Sequence, residues 1–248
     1  MNETDNRHIP FFMTPEHECS YYDDRLARTV FGDPHQQPDR RAQTELARHG
    51  FRRSGRFMYR PECHGCNACI PSRIPVAAFR PSRSQRRNLR DNADLDVSMS
   101  APYCNDFLLS FYNRYQEHRH PEGQMLASNA AQFSDFLLSP WADTSFLEAR
   151  EGNQLKAVAV FDRFEDSLSA IYTFFDPAEL HRGLGVFMIL QLLERARREN
   201  LDWLYLGYWL PRHPKMAYKE RFRPLEILVA SEWRPYDELA GKLNSRGL

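Results

Sequence analysis

The sequence predicts an α/β (α+β) fold: a mixed sheet flanked by helices and preceded by an arginine- and cysteine-rich region. Three observations carry this. Residues 145–150, 154–163 and 167–175 have the length and the β-branched or aromatic content of strands, and helix, strand, helix and strand then alternate. Residues 186–200 repeat apolar side chains at helical spacing. The first third is broken by proline and glycine and crowded with arginine. A boundary near residue 95 divides residues 1–95, which carry the arginines and a cysteine loop, from the α/β part at 96–248.

The elements follow in order. Residues 1–39 read as irregular, with Pro10, Pro15, Gly32, Pro34 and Pro38 as breaks. Asp39 is an N-cap for a helix over 40–49, and Gly50 ends it. Residues 51–59 read as a strand with a turn near Ser54 and Gly55. The cysteine loop comes next, then an extended stretch at 73–79. A helix begins at 82–90, kept short by Asn88 and Asn92. Phe107, Leu108, Phe111, Tyr112 and Tyr115 fall at helical spacing within 102–118, and 129–138 is a second short helix. After the three strands and the helix at 186–200 come a strand at 203–208, a helix at 215–222 and a last strand at 225–231. No internal repeat or low-complexity tract occurs.

With 42% apolar residues, the chain of 248 can bury a sizeable core and is too apolar for global disorder. It has no run of 18 apolar residues, so no transmembrane helix is expected. Met1 to Pro15 carries Glu3 and Asp5 and lacks an apolar signal core, so the expected location is cytoplasmic. The 33 basic and 33 acidic side chains cancel, but the cancellation hides an asymmetry. Only 4 of the basic residues are lysines. The window 40–90 holds 13 arginines, no lysine, and only Glu45 and Glu62, so it carries +11 and the remainder −11. A guanidinium is always charged and its planar fork matches phosphate oxygens. The window therefore points to nucleic acid or another polyanion, against an arginine-rich surface that pairs with the acidic remainder.

Three of the five cysteines lie in Cys63-His64-Gly65-Cys66-Asn67-Ala68-Cys69, a poor disulfide framework. Short steps with a glycine fold thiolates inward, so the loop suits zinc or one edge of an iron–sulfur cluster, with Cys19 or His64 as the fourth ligand. The other reading is a tight turn of reduced structural cysteines. Cys104 reads as an ordinary buried thiol.

Between a strand and the best helix stands His181-Arg182-Gly183-Leu184-Gly185-Val186-Phe187. Such a turn exposes backbone N–H groups at the positive end of a helix dipole, which suits an anion at Arg182, Gly183 and Gly185. It resembles the pyrophosphate turn of the GCN5-related acetyltransferases, except that Phe187 stands where glycine or alanine is expected. The likeness implies their fold, while the bulky side chain speaks against ordinary coenzyme A binding. The simpler reading is a helix N-terminus after a tight turn. No G-x-x-x-x-G-K-[ST] loop, G-x-S-x-G elbow or H-E-x-x-H pair occurs. That points to chemistry needing little machinery, such as acyl transfer from an already activated donor.

Several stretches together resemble one family. They are His17-Glu18-Cys19-Ser20-Tyr21, Gly50-Phe51-Arg52-Arg53-Ser54-Gly55, Tyr59-Arg60-Pro61 with the cysteine loop, and Arg73-Ile74-Pro75-Val76. Others are Pro81-Ser82-Arg83-Ser84-Gln85-Arg86-Arg87, Tyr172-Thr173-Phe174-Phe175-Asp176-Pro177 and Leu204-Tyr205-Leu206-Gly207-Tyr208-Trp209. The last are His213-Pro214-Lys215-Met216-Ala217-Tyr218-Lys219 and Phe222-Arg223-Pro224. The chain looks like a bacterial aspartate/glutamate leucyltransferase, of the family that includes the eukaryotic arginyl-tRNA–protein transferases. The resemblance runs from about residue 11 to 229. It implies an acetyltransferase-like core and a cytoplasmic enzyme that moves leucine from leucyl-tRNA to the α-amine of proteins beginning with Asp or Glu, creating an N-terminal degradation signal. One departure concerns metal. The eukaryotic relatives often carry a C-x-x-C pair near the N-terminus, whereas Cys19 is followed by Ser20-Tyr21-Tyr22.

The transfer requires no cofactor; zinc or an iron–sulfur cluster at Cys19, Cys63, Cys66 and Cys69 would be an addition to it. The expected partners are leucyl-tRNA and proteins with N-terminal Asp or Glu, with no membrane. Candidates for the chemistry are Tyr172, Thr173 and Asp176 before the glycine turn and Lys215, Tyr218 and Lys219 on the late helix. Asp176 would take the amine proton, Tyr218 or a lysine would stabilise charge, and a cation such as Lys215 would read the acceptor's carboxylate. Against this, Tyr172 also suits core packing, and Lys215 with Lys219 also suits one solvated helix face. Arg80, Arg83, Arg86, Arg87 and Arg90 form an acid-free stretch for tRNA. If helical, the last four share a face; if extended, alternation splits them. Three alternatives remain: arginyl transfer to the same acceptors, an acetyl-CoA-dependent N-acetyltransferase, and a non-catalytic tRNA- or zinc-binding module.

Overall fold

A computed structural model describes residues 9–119 and 128–245. The first eight residues of the N-terminus therefore lie outside the described residues. The rest of that segment is not irregular, contrary to what its breaks suggest. It forms β1 (Phe11–Met13), β2 (His17–Glu18), β3 (Leu26–Ala27) and β4 (Thr29–Gly32). Strands of two to four residues are too short for alternation to register in a sequence.

Next come α1 (Arg40–Arg48), β5 (Arg52–Ser54) and β6 (Phe57–Pro61). Asp39 caps α1 by accepting from the Ala42 amide at 2.8 Å. The chain leaves the helix through Gly50 at φ +82°, where a Cβ would come within 2.8 Å of Pro71 and 2.9 Å of Leu228. Glycine there serves both the left-handed turn and the close packing. The expected strand at 51–59 is the hairpin β5–β6. A four-stranded antiparallel sheet follows in the order β1-β4-β6-β5, beside a β2–β3 ribbon.

The larger sheet uses β7 (Ile70–Pro75), β8 (Asp96–Ser100), β9 (Thr144–Glu151), β10 (Gln154–Arg163), β11 (Ser167–Phe175), β12 (Trp203–Trp209), β13 (Glu226–Val229) and β14 (Glu232–Pro235). Their order is β14-β13-β7-β12-β11-β10-β9-β8. Only β11 and β12 are parallel neighbours, so the sheet is mixed, as expected. The central strand β7 comes from within residues 1–95 and hydrogen-bonds to both β12 and β13. β8 and the final helix α6 (Tyr236–Ser245) are not evident in the sequence. The strand expected at 225–231 turns at Ala230 and Ser231, both with positive φ, into the hairpin β13–β14.

Helices cover both faces. α5 (Leu184–Arg198) packs Leu184, Phe187, Met188 and Leu192 against Ala157, Ala159 and Phe161 of β10. On the other face, α3 (Asp106–Arg119) and α4 (Ala130–Leu137) pack Leu108, Phe111, Tyr112 and Phe133 against Val158 and Val160. β10 is thus buried on both sides, which explains its nearly unbroken apolar run. Phe187 is 2% exposed in this layer. Its bulk serves the core, at about 3–5 kcal/mol for truncation to alanine, and that accounts for its departure from the acetyltransferase turn. α2 (Arg83–Asp91) lies against α5.

Candidate active site

The parallel partners β11 and β12 stay together only where Ser167–Ser169 faces Trp203–Tyr205. Beyond that, β11 follows β10 to Phe175 and β12 follows β7 to Trp209. Each carries a bulge at the parting: Ile171 has no partner in the β10–β11 register, and Leu206 has none in the β12–β7 register. A wedge opens between the two strands.

Arg52 of β5 enters this wedge. Its Nη2 donates to the Ile171 carbonyl and reaches the Ala170 carbonyl at 3.5 Å. The guanidinium lies over Gly207, where a Cβ would stand 3.0 Å from Cζ, Nε and Nη1 and press on it, and φ +73° favours glycine as well. Its neighbour Arg53 points the opposite way, as strand alternation requires. Arg53 is 2% exposed and grips Asp162 of β10 with Nε–Oδ2 at 2.5 Å and Nη2–Oδ1 at 2.9 Å. It also donates to the carbonyls of Gly55 and Leu137. That clamp holds β5 against the larger sheet and so aims Arg52.

The Nε of Arg52 is buried without a hydrogen-bond partner. Among the described residues, no carboxylate lies within 4 Å of its guanidinium. Its titratable neighbours are the phenols of Tyr59, Tyr21, Tyr208 and Tyr218. Tyr208 shares its hydroxyl hydrogen between the carbonyls of Gly50 (3.1 Å) and Tyr59 (3.0 Å). Lys219, 3% exposed, donates from Nζ to the Tyr208 carbonyl and reaches Met216 Sδ at 3.5 Å. Burial drives its ammonium well below the ordinary lysine pKa, and the Arg52 charge adds to this. Burial raises the phenols of Tyr21 and Tyr172, so they remain protonated at neutral pH.

Tyr21 also lines an open cleft of about 410 Å³ with Tyr22, Arg25, Arg212 and His213. His213 meets the Tyr21 and Tyr22 rings edge-on, and the Arg25 guanidinium lies 4.3 Å from the Tyr22 ring centre. Arg212 holds φ +60°, strained for a residue with a side chain.

The residues expected from the sequence scatter around this centre. Tyr172 donates to Gln116 Oε1 at 3.1 Å and packs against Tyr112, Tyr115 and Phe136. Tyr218, 37% exposed, lies within electrostatic reach of Arg52. Asp176 caps the 3-10 turn Pro177–Arg182 by accepting from the Ala178 amide at 3.0 Å. The helix expected at 215–222 is only the 3-10 turn Ala217–Arg221. Consequently Lys215 and Lys219 do not form one solvated face: Lys215 is exposed beside His213, while Lys219 is buried.

At the glycine turn, Gly183 has φ +63° and precedes α5. The Arg182 guanidinium donates to Asn92 Oδ1 at 2.9 Å and pairs with Asp94, and its carbonyl accepts from Asn88 and Asn92. A charge so engaged joins α2 to α5.

The cysteines do not make the expected metal site. Among the described residues, no three His, Cys, Asp or Glu side chains are placed to hold a metal ion. Cys66 Sγ accepts from Arg25 at 3.4 Å, and Cys63 Sγ accepts from the Arg28 amide at 3.5 Å. Burial, with the nearby Cys19, Cys63 and Cys66, pushes the Cys69 thiol up to about 12. The donor set offers hydrogen-bonded thiols instead of converging thiolates, so zinc or an iron–sulfur cluster is not supported.

Arg80 is exposed, and α2 displays Arg83, Arg86, Arg87 and Arg90 to solvent; the extended alternative falls away. The Ser82–Gln85 capping box starts α2, and buried Gln85 turns inward to the Arg221 carbonyl. The basic window is not all surface, however. Arg53 is clamped, Arg52 fills the wedge, and Arg73 pairs with Glu226 while stacking on Trp203 at 3.6 Å. Arg52 escapes sequence reasoning as a site residue for this reason. The signal that points to it is Gly207, an isolated glycine in the apolar strand sequence Leu204-Tyr205-Leu206-Gly207-Tyr208-Trp209, which marks a close approach.

Residues 17–87 match the family model described as arginine-tRNA-protein transferase, N terminus, and residues 108–229 match the corresponding C terminus. The aspartate/glutamate leucyltransferase of Alcanivorax borkumensis is 46% identical over 235 residues, covering 95% of this chain and 97% of that protein. The one of Stenotrophomonas maltophilia strain K279a is 48% identical over 238 residues, covering 92% and 94%. Among solved structures, FemX superposes with a TM-score of 0.48 at 8% identity, covering 75% of this chain and 65% of that one. L-PGS from Bacillus licheniformis gives 0.44 at 12% identity, covering 61% and 48%.

Proposed function

The chain belongs to the arginine-tRNA-protein transferase family, and from that premise we propose that it transfers leucine from leucyl-tRNA to the N-terminal α-amine of proteins beginning with Asp or Glu, creating a degradation signal. The observation that carries this reading is the end-to-end similarity to aspartate/glutamate leucyltransferases, at 46% identity over 95% of the chain. In this reading the enzyme is cytoplasmic and has no membrane partner. No helix among the described residues is long and apolar enough to cross a membrane.

An aminoacyl ester is already activated, so neither ATP nor a covalent enzyme intermediate is required. The acceptor nitrogen bonds to the ester carbonyl carbon and the C–O bond to ribose breaks. The proton lost by the amine ends on the ribose oxygen. A free α-amine has a pKa near ~8, which leaves a neutral fraction at pH 7. The protein's work is to hold amine and ester in attack geometry and to stabilise the oxyanion.

In our assignment the Tyr218 phenol donates to the oxyanion, and Tyr172, whose hydroxyl donates to Gln116, backs the site. Asp176, at the end of β11, relays the amine proton. Lys215, exposed beside the cleft residue His213, draws in an acidic acceptor. Arg80, Arg83, Arg86, Arg87 and Arg90 meet the tRNA backbone, where released counterions favour binding.

The test is a transfer assay that offers leucyl-tRNA and arginyl-tRNA to peptides beginning with Asp, Glu, Lys or Arg. Leucine is expected on the Asp and Glu peptides alone. Equal labelling of all four, or labelling from arginyl-tRNA only, would overturn the reading.

A further inference from the structure

Two basic side chains reach into this protein without a carboxylate partner. Arg52 is wedged between β11 and β12, and Lys219 lies next to it with 3% of its surface exposed. Among the described residues neither has a carboxylate within 4 Å. The contrast with the other buried cations is plain: Arg53 is paired with Asp162, Arg73 with Glu226, and Lys156 with Glu151 and Glu179. Where this fold buries a positive charge for structure, it supplies the negative one. Buried charges are ordinarily paired because desolvation is expensive. An unpaired couple is explained if the partner arrives with a ligand.

We propose that the missing partner is the side-chain carboxylate of the acceptor's N-terminal Asp or Glu, seated against Arg52 with Lys219 behind it. The inference rests on the leucyl-transfer reading and names the residues that select its acceptor. Arg52 has donors to give, since Nε is buried and unsatisfied and Nη1 makes no hydrogen bond among the described residues. Its phenol neighbour Tyr21 can donate to the same carboxylate, while Tyr208 is already committed to main-chain oxygens and Tyr218 is assigned to the oxyanion. Tyr21 connects this spot to the open cleft, which offers a way in.

An Asn or Gln acceptor would bring an amide N–H₂ to donors that have no acceptor of their own, so it should be rejected.

The experiment is leucyl transfer from leucyl-tRNA to matched peptides beginning with Asp and Asn, using wild type, Arg52→Gln and Lys219→Met. Wild type should favour Asp over Asn by at least a hundredfold in kcat/KM. Arg52→Gln should cut that ratio at least tenfold through the peptide KM, with the KM for leucyl-tRNA unchanged. Lys219→Met should lower the ratio as well, and it decides the matter if Arg52→Gln does not fold. Equal losses on both peptides, with the ratio preserved, would make Arg52 a structural wedge and overturn the proposal. A wild-type protein that labels neither peptide would instead sink the transfer reading, which is a separate result.

Discussion

At the scale of single residues, Lys219 shows what an unpaired buried charge does to the molecule. Its folded pKa lies well below the unfolded value of 10.5. Between those two values the unfolded chain binds more protons, so stability rises with pH there. The penalty is full at pH below the folded pKa and gone above about 10.5. Lys219→Met should therefore stabilise the protein by about 1–3 kcal/mol at pH 7, with the gain shrinking toward pH 10. Urea unfolding at both pH values checks this, and an equal gain at both would show that charge is not the cause. Arg52 and Arg53 make the complementary point. They are adjacent, identical in type, and both part of the basic window, yet one faces an unpartnered wedge and the other a carboxylate. Strand alternation announces that they point apart. It does not say what waits on either side.

At the scale of elements, α2 is only partly legible in the sequence, where an extended reading of its arginines stays open beside the helical one. Ser82 and Gln85 form a recognisable cap, and the arginine spacing implies one face. Tertiary contacts fix the opposite face: Gln85 on the Arg221 carbonyl and Asn88 on the Arg182 carbonyl at 2.8 Å. Arg83 and Arg87 are left outward with no ion-pair partner among the described residues. Arg83→Glu with Arg87→Glu should weaken tRNA binding and flatten the slope of log K against log salt by roughly 1.5. Stability should move by less than about 0.5 kcal/mol, because exposed charges away from special contacts matter little. Binding titrations at several salt concentrations read the slope. An unchanged slope would shift attention to another surface. Arg195, Arg197 and Arg198 of α5 are weak substitutes, since Glu199 and Glu194 already pair with them.

At the scale of the whole molecule, the Arg53–Asp162 clamp joins the four-stranded sheet to the eight-stranded one. Asp162→Ala leaves a guanidinium buried and alone, so it should cost about 3–5 kcal/mol. Thermal melting should show a drop on the order of 10 °C for a chain of this size. A loss under about 1 kcal/mol would mean that the sheets stay joined without the clamp. Arg53→Met with Asp162→Leu should recover much of the stability, because the pair's main hazard is breaking it by half. How much of this is readable from sequence depends on the range of the interaction. β10, β11, α1 and α5 announce themselves because their signals are local: an apolar run, a cap, a 3.6-residue period. The short N-terminal strands and β8 do not, since two to five residues give periodicity too little to act on. The chain by itself thus determined its longer elements, its mixed sheet and its family. Only the tertiary structure decided which charges meet, because salt bridges and wedged cations depend on residues 109 or 119 positions apart, as in Arg53 to Asp162 or Arg52 to Ile171. Folding brought Arg52 and Lys219 to one wedge and left the cysteines without a shared centre, and no spacing in the sequence encodes either outcome.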